Sequence, residues 1–208
     1  RDTSLRAILT DAEFWCFWIA AGLVTGVDLM YVNNIGLLVQ QLWPGVRGAS
    51  GVISSGLDDH ITLHVSVLSF SSCIAGLLVG YASDYAKRKA NIERIHFFTV
   101  AAALQGIAQV GGYYAETLEE LLPVTFLSGF ASGIVFTLNS VVVSDYWGTE
   151  NCGRNIGLIG WAVAFGSQIF GSLFGVIYDM REGQAGGCMG RECYRDVFPL
   201  SAFTVVTL

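Results

Sequence analysis

Long apolar segments are the feature that most constrains this chain of 208 residues. A helix that crosses the hydrocarbon core of a bilayer needs about 20 mostly apolar residues, and five segments reach that length. A sixth apolar segment begins at residue 197 and is cut off at the last residue. We therefore predict an all-α membrane protein with helices over residues 13–42, 61–82, 95–115, 121–147, 156–178 and, incompletely, 197–208.

The composition agrees with a lipid environment. Charged residues make up 13% of the chain, against about 25% in a typical soluble domain. Mean hydropathy is +0.55. The 25 glycines suit packed membrane helices, in which small residues let backbones approach each other. A soluble helical domain is disfavoured, because too few charged residues remain to cover a water-facing surface.

Basic residues are unevenly divided between the predicted loops. Cytoplasmic loops of membrane proteins are enriched in Lys and Arg. If the segment around Lys87 is cytoplasmic, the N-terminus and the segment around Arg154 share that side, which then holds seven basic residues against four. The division predicts a cytoplasmic N-terminus. The seven are Arg1, Arg6, Lys87, Arg88, Lys89, Arg94 and Arg154, and the four are Arg47, Arg181, Arg191 and Arg195.

The stretch "GYASDYAKRK" follows the second apolar segment and combines a carboxylate with a basic cluster. Ordinary anchoring at the cytoplasmic face explains the basic residues but not the Gly-x-x-x-Asp before them. The stretch resembles the loop signature of the major facilitator superfamily, with departures at Tyr85 and Lys87. The resemblance implies a conformational latch between helices. Its matching residues are Gly80, Asp84, Arg88 and Lys89.

The stretch "SDYWGTENCGRNIG" follows the fourth apolar segment and is the more specific motif. It resembles the string that joins two helices in the nodulin-like branch of the same superfamily. We expect Gly148 and Gly153 to permit tight turns. We expect Asn155 to cap the next helix. The matching residues are Ser144, Asp145, Trp147, Gly148, Gly153, Asn155 and Gly157.

The resemblance extends over the whole chain and also includes the fungal monocarboxylate-transporter homologues. It implies that residues 1–208 form the six-helix C-terminal half of a twelve-helix transporter, from the seventh helix into the twelfth. The implied partners are a missing N-terminal half, the lipid bilayer, a small organic solute such as a monocarboxylate, and protons. The implied location is a multi-pass position in the vacuolar membrane ahead of the plasma membrane. A non-transporting membrane sensor or scaffold with the same fold is the alternative.

Two cysteines lie in the predicted outer loop before the sixth segment, in "CMGRECY". Nodulin-like proteins carry a similar string at this place. On a non-cytoplasmic face, Cys188 and Cys193 are candidates for a disulfide. Free thiols are a second interpretation. A zinc site is a third and weaker one, because zinc usually takes four ligands and no His is nearby.

Polar side chains inside the apolar segments are the candidate binding groups. An ionisable residue at membrane depth is a functional hypothesis by default. We expect Asp28 to bind a proton, a cation or a cationic solute group, with a purely structural role as the alternative. Amide side chains are weaker candidates, since they also serve as hydrogen bonds between helices. The full set is Asp28, Asn33, Asn34, Asn139 and Gln168.

Other chemistry finds little support in the sequence. There is no hydrolytic nucleophile–base set and no phosphate-binding loop, so we expect neither an enzyme nor a cofactor. There is also no basic tract of the kind that binds nucleic acid. The three histidines, His60, His64 and His96, are expected at the membrane interfaces. Gln105 and Gln109 are expected to hydrogen-bond across helices.

Overall fold

A computed structural model describes residues 4–43, 55–185 and 190–207, which form a bundle of long helices. Five of these helices are long and apolar enough to cross a membrane, as the sequence predicts. The α-helices are α1 (Leu5–Leu9), α2 (Ala12–Leu42), α3 (Ser55–Ala90), α4 (Ile95–Tyr114), α5 (Leu118–Trp147), α6 (Cys152–Ala185) and α7 (Val197–Val206); a short 3-10 helix covers Arg191–Cys193.

The helix α2 runs antiparallel to α5 and parallel to α6, as contacts at their ends show. At one end, Trp147 at the end of α5 donates a hydrogen bond to Asp11, the N-cap residue of α2. At the other end, Gln41 near the end of α2 donates to the hydroxyl of Tyr178 in α6. We call the end that carries Lys87 and Arg94 the basic end. The sequence predicts that it faces the cytoplasm.

The helix α3 is longer than the sequence predicts. The basic stretch around Lys87 was expected to be a loop, but α3 continues through it to Ala90. The residues Ala, Lys and Arg in this stretch are good helix formers, and neither Gly nor Pro interrupts them. The helix stops at Asn91, which has a positive φ of 51°. Asn tolerates this left-handed conformation, which commonly ends helices.

The second motif also differs in detail from the prediction. Gly148 forms the expected turn with φ 87°, just after the end of α5. The next helix, α6, begins at Cys152, so Gly153 is helical and makes no turn. Asn155 lies inside the first turns of α6 and is buried, so the prediction that it caps this helix is wrong. The cap was misplaced because the helix begins four residues earlier than the apolar segment.

Two helix pairs approach closely at glycines. A Cβ added to Gly26 of α2 would lie 2.5 Å from the carbonyl carbon of Gly166 in α6. A Cβ added to Gly129 of α5 would lie 2.5 Å from the carbonyl oxygen of Leu68 in α3. Small residues at such contacts let helices pack by van der Waals forces in lipid. The pairs α2–α6 and α3–α5 therefore depend on these glycines.

Burial is highest in the centre of the bundle. More than half of the most apolar window is buried in α2 and in α5, against 22% in α3 and in α6. The outer faces of α3 and α6 instead expose large apolar side chains, such as Phe70 and Leu77 in α3 and Trp161 and Ile169 in α6. Polar groups at the contact between α2 and α5 are therefore enclosed by protein rather than exposed to lipid.

Candidate functional site

Asp28 lies beside the midpoint of the 31-residue α2, and 1% of its surface is exposed. Its Oδ2 atom accepts a 2.8 Å hydrogen bond from the hydroxyl of Ser132 in α5. Its Oδ1 atom is buried and has no hydrogen-bond partner. Among the described residues, no cationic side chain pairs with Asp28. A buried carboxylate with one hydrogen bond is energetically costly, because desolvation of the charge is not repaid.

The predicted amide candidates do not share one environment. Asn139 is buried in α5, and its Oδ1 atom has no partner. Asn33 is exposed on α2, whereas Asn34 is half-buried and donates a 2.8 Å hydrogen bond to the carbonyl of Met30. Gln168 is exposed and donates to Ser172 on its own helix. Of the four amide candidates, Asn139 is therefore the one that is buried.

A second buried polar group lies between α2, α3 and α5, and the sequence did not reveal it. Thr125 of α5 contacts the hydroxyl of Tyr31 at 2.8 Å and Nδ1 of His64 at 2.8 Å. Its own hydroxyl donates to the carbonyl of Leu121. His64 is 1% exposed and lies between helices; its predicted place at the membrane interface stays a prediction. Only the fold brings these three helices together, so local sequence carries no signal for the contact.

The glutamine prediction is confirmed at both positions. Gln105 of α4 donates a 3.4 Å hydrogen bond to Ser128 of α5. Gln109 accepts a 2.9 Å hydrogen bond from Ser201 of α7. These bonds satisfy buried amides across helices, so they connect α4 to its neighbours rather than mark a binding group.

An ionic cluster joins three helices at the basic end. Asp145 of α5 accepts from Nζ of Lys87 in α3 at 2.6 Å and from Arg94, which precedes α4, at 2.6 Å. Arg94 also pairs with Asp84 of α3 at 2.5 Å. Partial burial lowers the pKa of Arg94, but its hydrogen bonds and charge interactions with both carboxylates raise it, and the net direction is upward. Beside the cluster, the hydroxyl of Tyr146 donates to Glu93.

This cluster shares only part of its residues with the predicted latch, which stays a prediction. Asp84 takes part, but Arg88 only donates to the backbone carbonyl of Asp84, and Lys89 is exposed. The basic partners are instead Lys87, which departs from the family pattern, and Arg94. Arg88 and Lys89 are exposed near the end of α3, and the turn after Asn91 brings Arg94 back to Asp84 and Asp145.

The remaining residues of the second motif lie around the same end. Ser144 is 3.0 Å from the sulfur of Cys152 and also donates to the carbonyl of Ser140. Trp147 is buried and packs edge-on against Phe14 at a ring distance of 5.4 Å. A Cβ added to Gly80 or Gly157, one from each motif, would meet nothing within 4 Å among the described residues. The motif therefore combines buried side chains, at Trp147 and Asn155, with glycines in open space, at Gly153 and Gly157.

Only one of the two cysteines of the predicted disulfide lies among the described residues. Cys193 is buried in the short 3-10 helix. Cys188 lies outside the described residues, so the pairing stays a prediction. Cys16 and Cys73 are exposed free thiols on helices, and Cys152 is a half-buried one.

Sequence comparisons give a consistent family. The family model described as the Major Facilitator Superfamily matches residues 52–181. A Neurospora crassa protein named "Probable transporter mch1" is 25% identical over 98% of this chain and 38% of its own length. Its Aspergillus fumigatus namesake is 28% identical over 91% of this chain and 35% of its own length. The Arabidopsis thaliana protein NUCLEAR FUSION DEFECTIVE 4 is 26% identical, over 95% and 33% respectively.

The chain thus spans between 33% and 38% of the length of these three relatives. Among solved structures, the inward open conformation of the xylose transporter XylE from E. coli is similar to it. That match has a TM-score of 0.69 at 16% identity and covers 94% of this chain and 45% of the other. At this identity the likeness concerns the fold alone.

Proposed function

The chain belongs to the major facilitator superfamily, and we propose that it forms the C-terminal half of a secondary transporter for a small organic solute. It is an integral, multi-pass membrane protein. The proposed mechanism is alternating access, in which two halves rock around a site near the bilayer midplane. The partial coverage of the relatives supports an N-terminal half as the partner. The exposed apolar faces of α3 and α6 offer surface for it.

The single observation that supports a coupled mechanism is the state of Asp28. It lies near the middle of α2, buried against α5, with one carboxylate oxygen unpartnered. Ionisable groups kept at this depth in transporters serve ion or substrate pathways. We propose that Asp28 takes up and releases a small cation, a proton or a metal ion, as α2 and α5 move.

The proposed solute class is the monocarboxylates, on the basis of the resemblance to the fungal monocarboxylate-transporter homologues. Within residues 4–43, 55–185 and 190–207, the Lys and Arg residues lie near helix ends or between helices. A bare Asp28 would repel an anionic solute, since like charges in a low dielectric interact strongly. A cation bound at Asp28 removes that repulsion. Loading of the cation before the anion is therefore the proposed order.

The test is uptake by the full-length protein in reconstituted vesicles. Radiolabelled lactate, pyruvate and acetate are offered with and without an inward cation gradient. We expect saturable uptake of at least one of them and a loss of about tenfold or more in Asp28→Asn. The matched control is Asp179→Asn, since Asp179 is exposed near the far end of α6. Absence of any solute flux would favour the sensor or scaffold alternative.

The membrane in which the protein resides is a separate proposal. We propose the vacuolar membrane ahead of the plasma membrane, on the basis of the resemblance to fungal homologues. A fluorescent fusion expressed from the native promoter, imaged with markers for both membranes, tests this. Signal at the cell surface alone would contradict it and would leave the transport proposal unaffected.

A further inference from the structure

Three buried side-chain oxygens without a hydrogen-bond partner lie on α2 and α5. They belong to Thr25, Asp28 and Asn139, whose exposed fractions are 0%, 1% and 8%. Buried polar atoms are nearly always paired, so each exception calls for a physical explanation. Thr25 and Asp28 are three residues apart on α2, and side chains at that spacing share one helix face. The hydrogen bond from Ser132 shows that this face meets α5.

The hydroxyl of Thr25 behaves unlike most buried hydroxyls of this bundle. Buried Ser and Thr side chains in helices usually donate to the carbonyl three or four residues earlier. Ser71 and Thr125 do so here, at 3.0 Å in each case. Thr25 forms no such bond. Its oxygen is therefore available to a ligand, one helical turn from the unpartnered oxygen of Asp28.

A proton alone does not satisfy both groups. Thr25 and Asp28 share no hydrogen bond, so a proton on Oδ1 of Asp28 would have no acceptor in Thr25. The Thr25 hydroxyl would also remain unpaired. A metal cation lies about 2.4 Å from each of its oxygen ligands, so it can bridge two oxygens that share no hydrogen bond, and hard cations prefer oxygen ligands. One ion would in this way satisfy both groups.

The single negative charge of the site favours a monovalent ion over a divalent one. Asp28 supplies one negative charge, and no second carboxylate contacts it within the described ranges. A monovalent ion neutralises the site, whereas a divalent ion would leave a buried positive charge, which is costly. Asn139 lies two turns from Ser132, about 10 Å along α5, so we do not count it as a ligand.

We propose that Thr25 and Asp28 bind one monovalent metal cation of the Na⁺ class between α2 and α5, with Ser132 orienting the carboxylate. The proposal rests on the proposed function, because it names the ion that the transporter couples to its solute. It does not depend on which solute is carried. Binding can therefore be measured with no solute present.

The experiment is equilibrium binding of ²²Na⁺ to the purified full-length protein in detergent, without solute. We expect saturable binding of one ion per chain, displaced by unlabelled Na⁺ and not by choline. Asp28→Asn should abolish the binding. Thr25→Val should weaken it by about tenfold, which corresponds to the loss of about 1.4 kcal/mol.

Matched controls exclude a general loss of structure. Thr99→Val removes a hydroxyl that bonds to its own helix at the carbonyl of Ile95, and Asp179→Asn removes an exposed carboxylate. Both should bind as the unmodified protein does. Size-exclusion profiles and thermal unfolding check the fold of every variant. If Asp28→Asn fails to fold, the comparison of ²²Na⁺ binding between Thr25→Val and the unmodified protein still tests the inference.

The outcomes separate this inference from the proposed function. Absence of saturable ²²Na⁺ binding in the unmodified protein overturns the inference, and so does binding that Thr25→Val leaves unchanged. Solute uptake driven by protons, without Na⁺ binding, would overturn the inference while the transport proposal stands. Na⁺ binding without flux of any tested solute would support the inference and count against the transport proposal.

Discussion

Two carboxylates at helix contacts, Asp145 at the basic end and Asp28 in the centre, differ in how they are satisfied. Both oxygens of Asp145 meet cations at 2.6 Å, and its side chain stays 20% exposed. Asp28 is enclosed and has one hydrogen bond from a neutral hydroxyl. A paired carboxylate near solvent stabilises the contact it belongs to. An unpaired one in the interior costs stability, so its role lies outside packing.

The largest contrast is expected from the same substitution at both positions. Asp145→Asn leaves Lys87 and Arg94 without their shared carboxylate and should lower the free energy of unfolding by about 2–3 kcal/mol. Asp28→Asn removes an uncompensated charge and should leave that free energy unchanged or raise it. Unfolding of the full-length protein by increasing SDS measures both. A larger loss of stability in Asp28→Asn than in Asp145→Asn would reverse the comparison.

A somewhat smaller effect is expected when Arg94 is changed. Arg94→Gln removes charged hydrogen bonds to Asp84 and Asp145, and its side chain is only 16% exposed. We expect a loss of about 2 kcal/mol in the same SDS titration. The control is Arg88→Gln, which removes a basic residue that, among the described residues, donates to the backbone carbonyl of Asp84 and forms no ion pair. Equal losses in the two variants would contradict the assignment of Arg94 over Arg88.

The smallest effect is expected at Lys87. Its side chain is 43% exposed, so solvent screens its pair with Asp145. Lys87→Gln should cost about 0.5 kcal/mol, and the difference should disappear at high salt. Lys89→Gln, at an exposed neighbouring position, should have no measurable effect. Loss of activity at Lys87 without any loss of stability would show that the cluster acts in the transport cycle rather than in packing.

The sequence was sufficient to predict the fold and its division into spanning helices. Apolar length is a strong signal, because lipid leaves few other structures possible. Helix ends were predicted less well. The basic stretch after Ser83 has no strong helix breaker before Asn91, so α3 continues where charge suggested a loop. Helix propensity determined the conformation of the stretch, and the membrane side that charge predicts for it stays a prediction.

The candidate site was predicted only in part. Asp28 can be recognised as a candidate from the sequence alone, because a carboxylate inside an apolar segment is rare. Its partner Ser132 and the neighbouring Thr25 do not stand out, since hydroxyl residues are common in membrane helices. Likewise, Arg94 and Asp145 are 51 residues apart and meet only through helix packing. Contacts of this kind depend on the three-dimensional arrangement of α2, α3 and α5.

The most direct test of the account compares two transport modes in Asp28→Asn. A residue that couples an ion to solute movement is needed for accumulation against a gradient, but not for exchange of labelled for unlabelled solute at equilibrium. In reconstituted full-length protein, we expect Asp28→Asn to retain exchange within a few-fold of the unmodified rate, a change of about 1 kcal/mol or less in the barrier. Accumulation should be lost. Accumulation at the unmodified level in Asp28→Asn would contradict the central role given to this carboxylate.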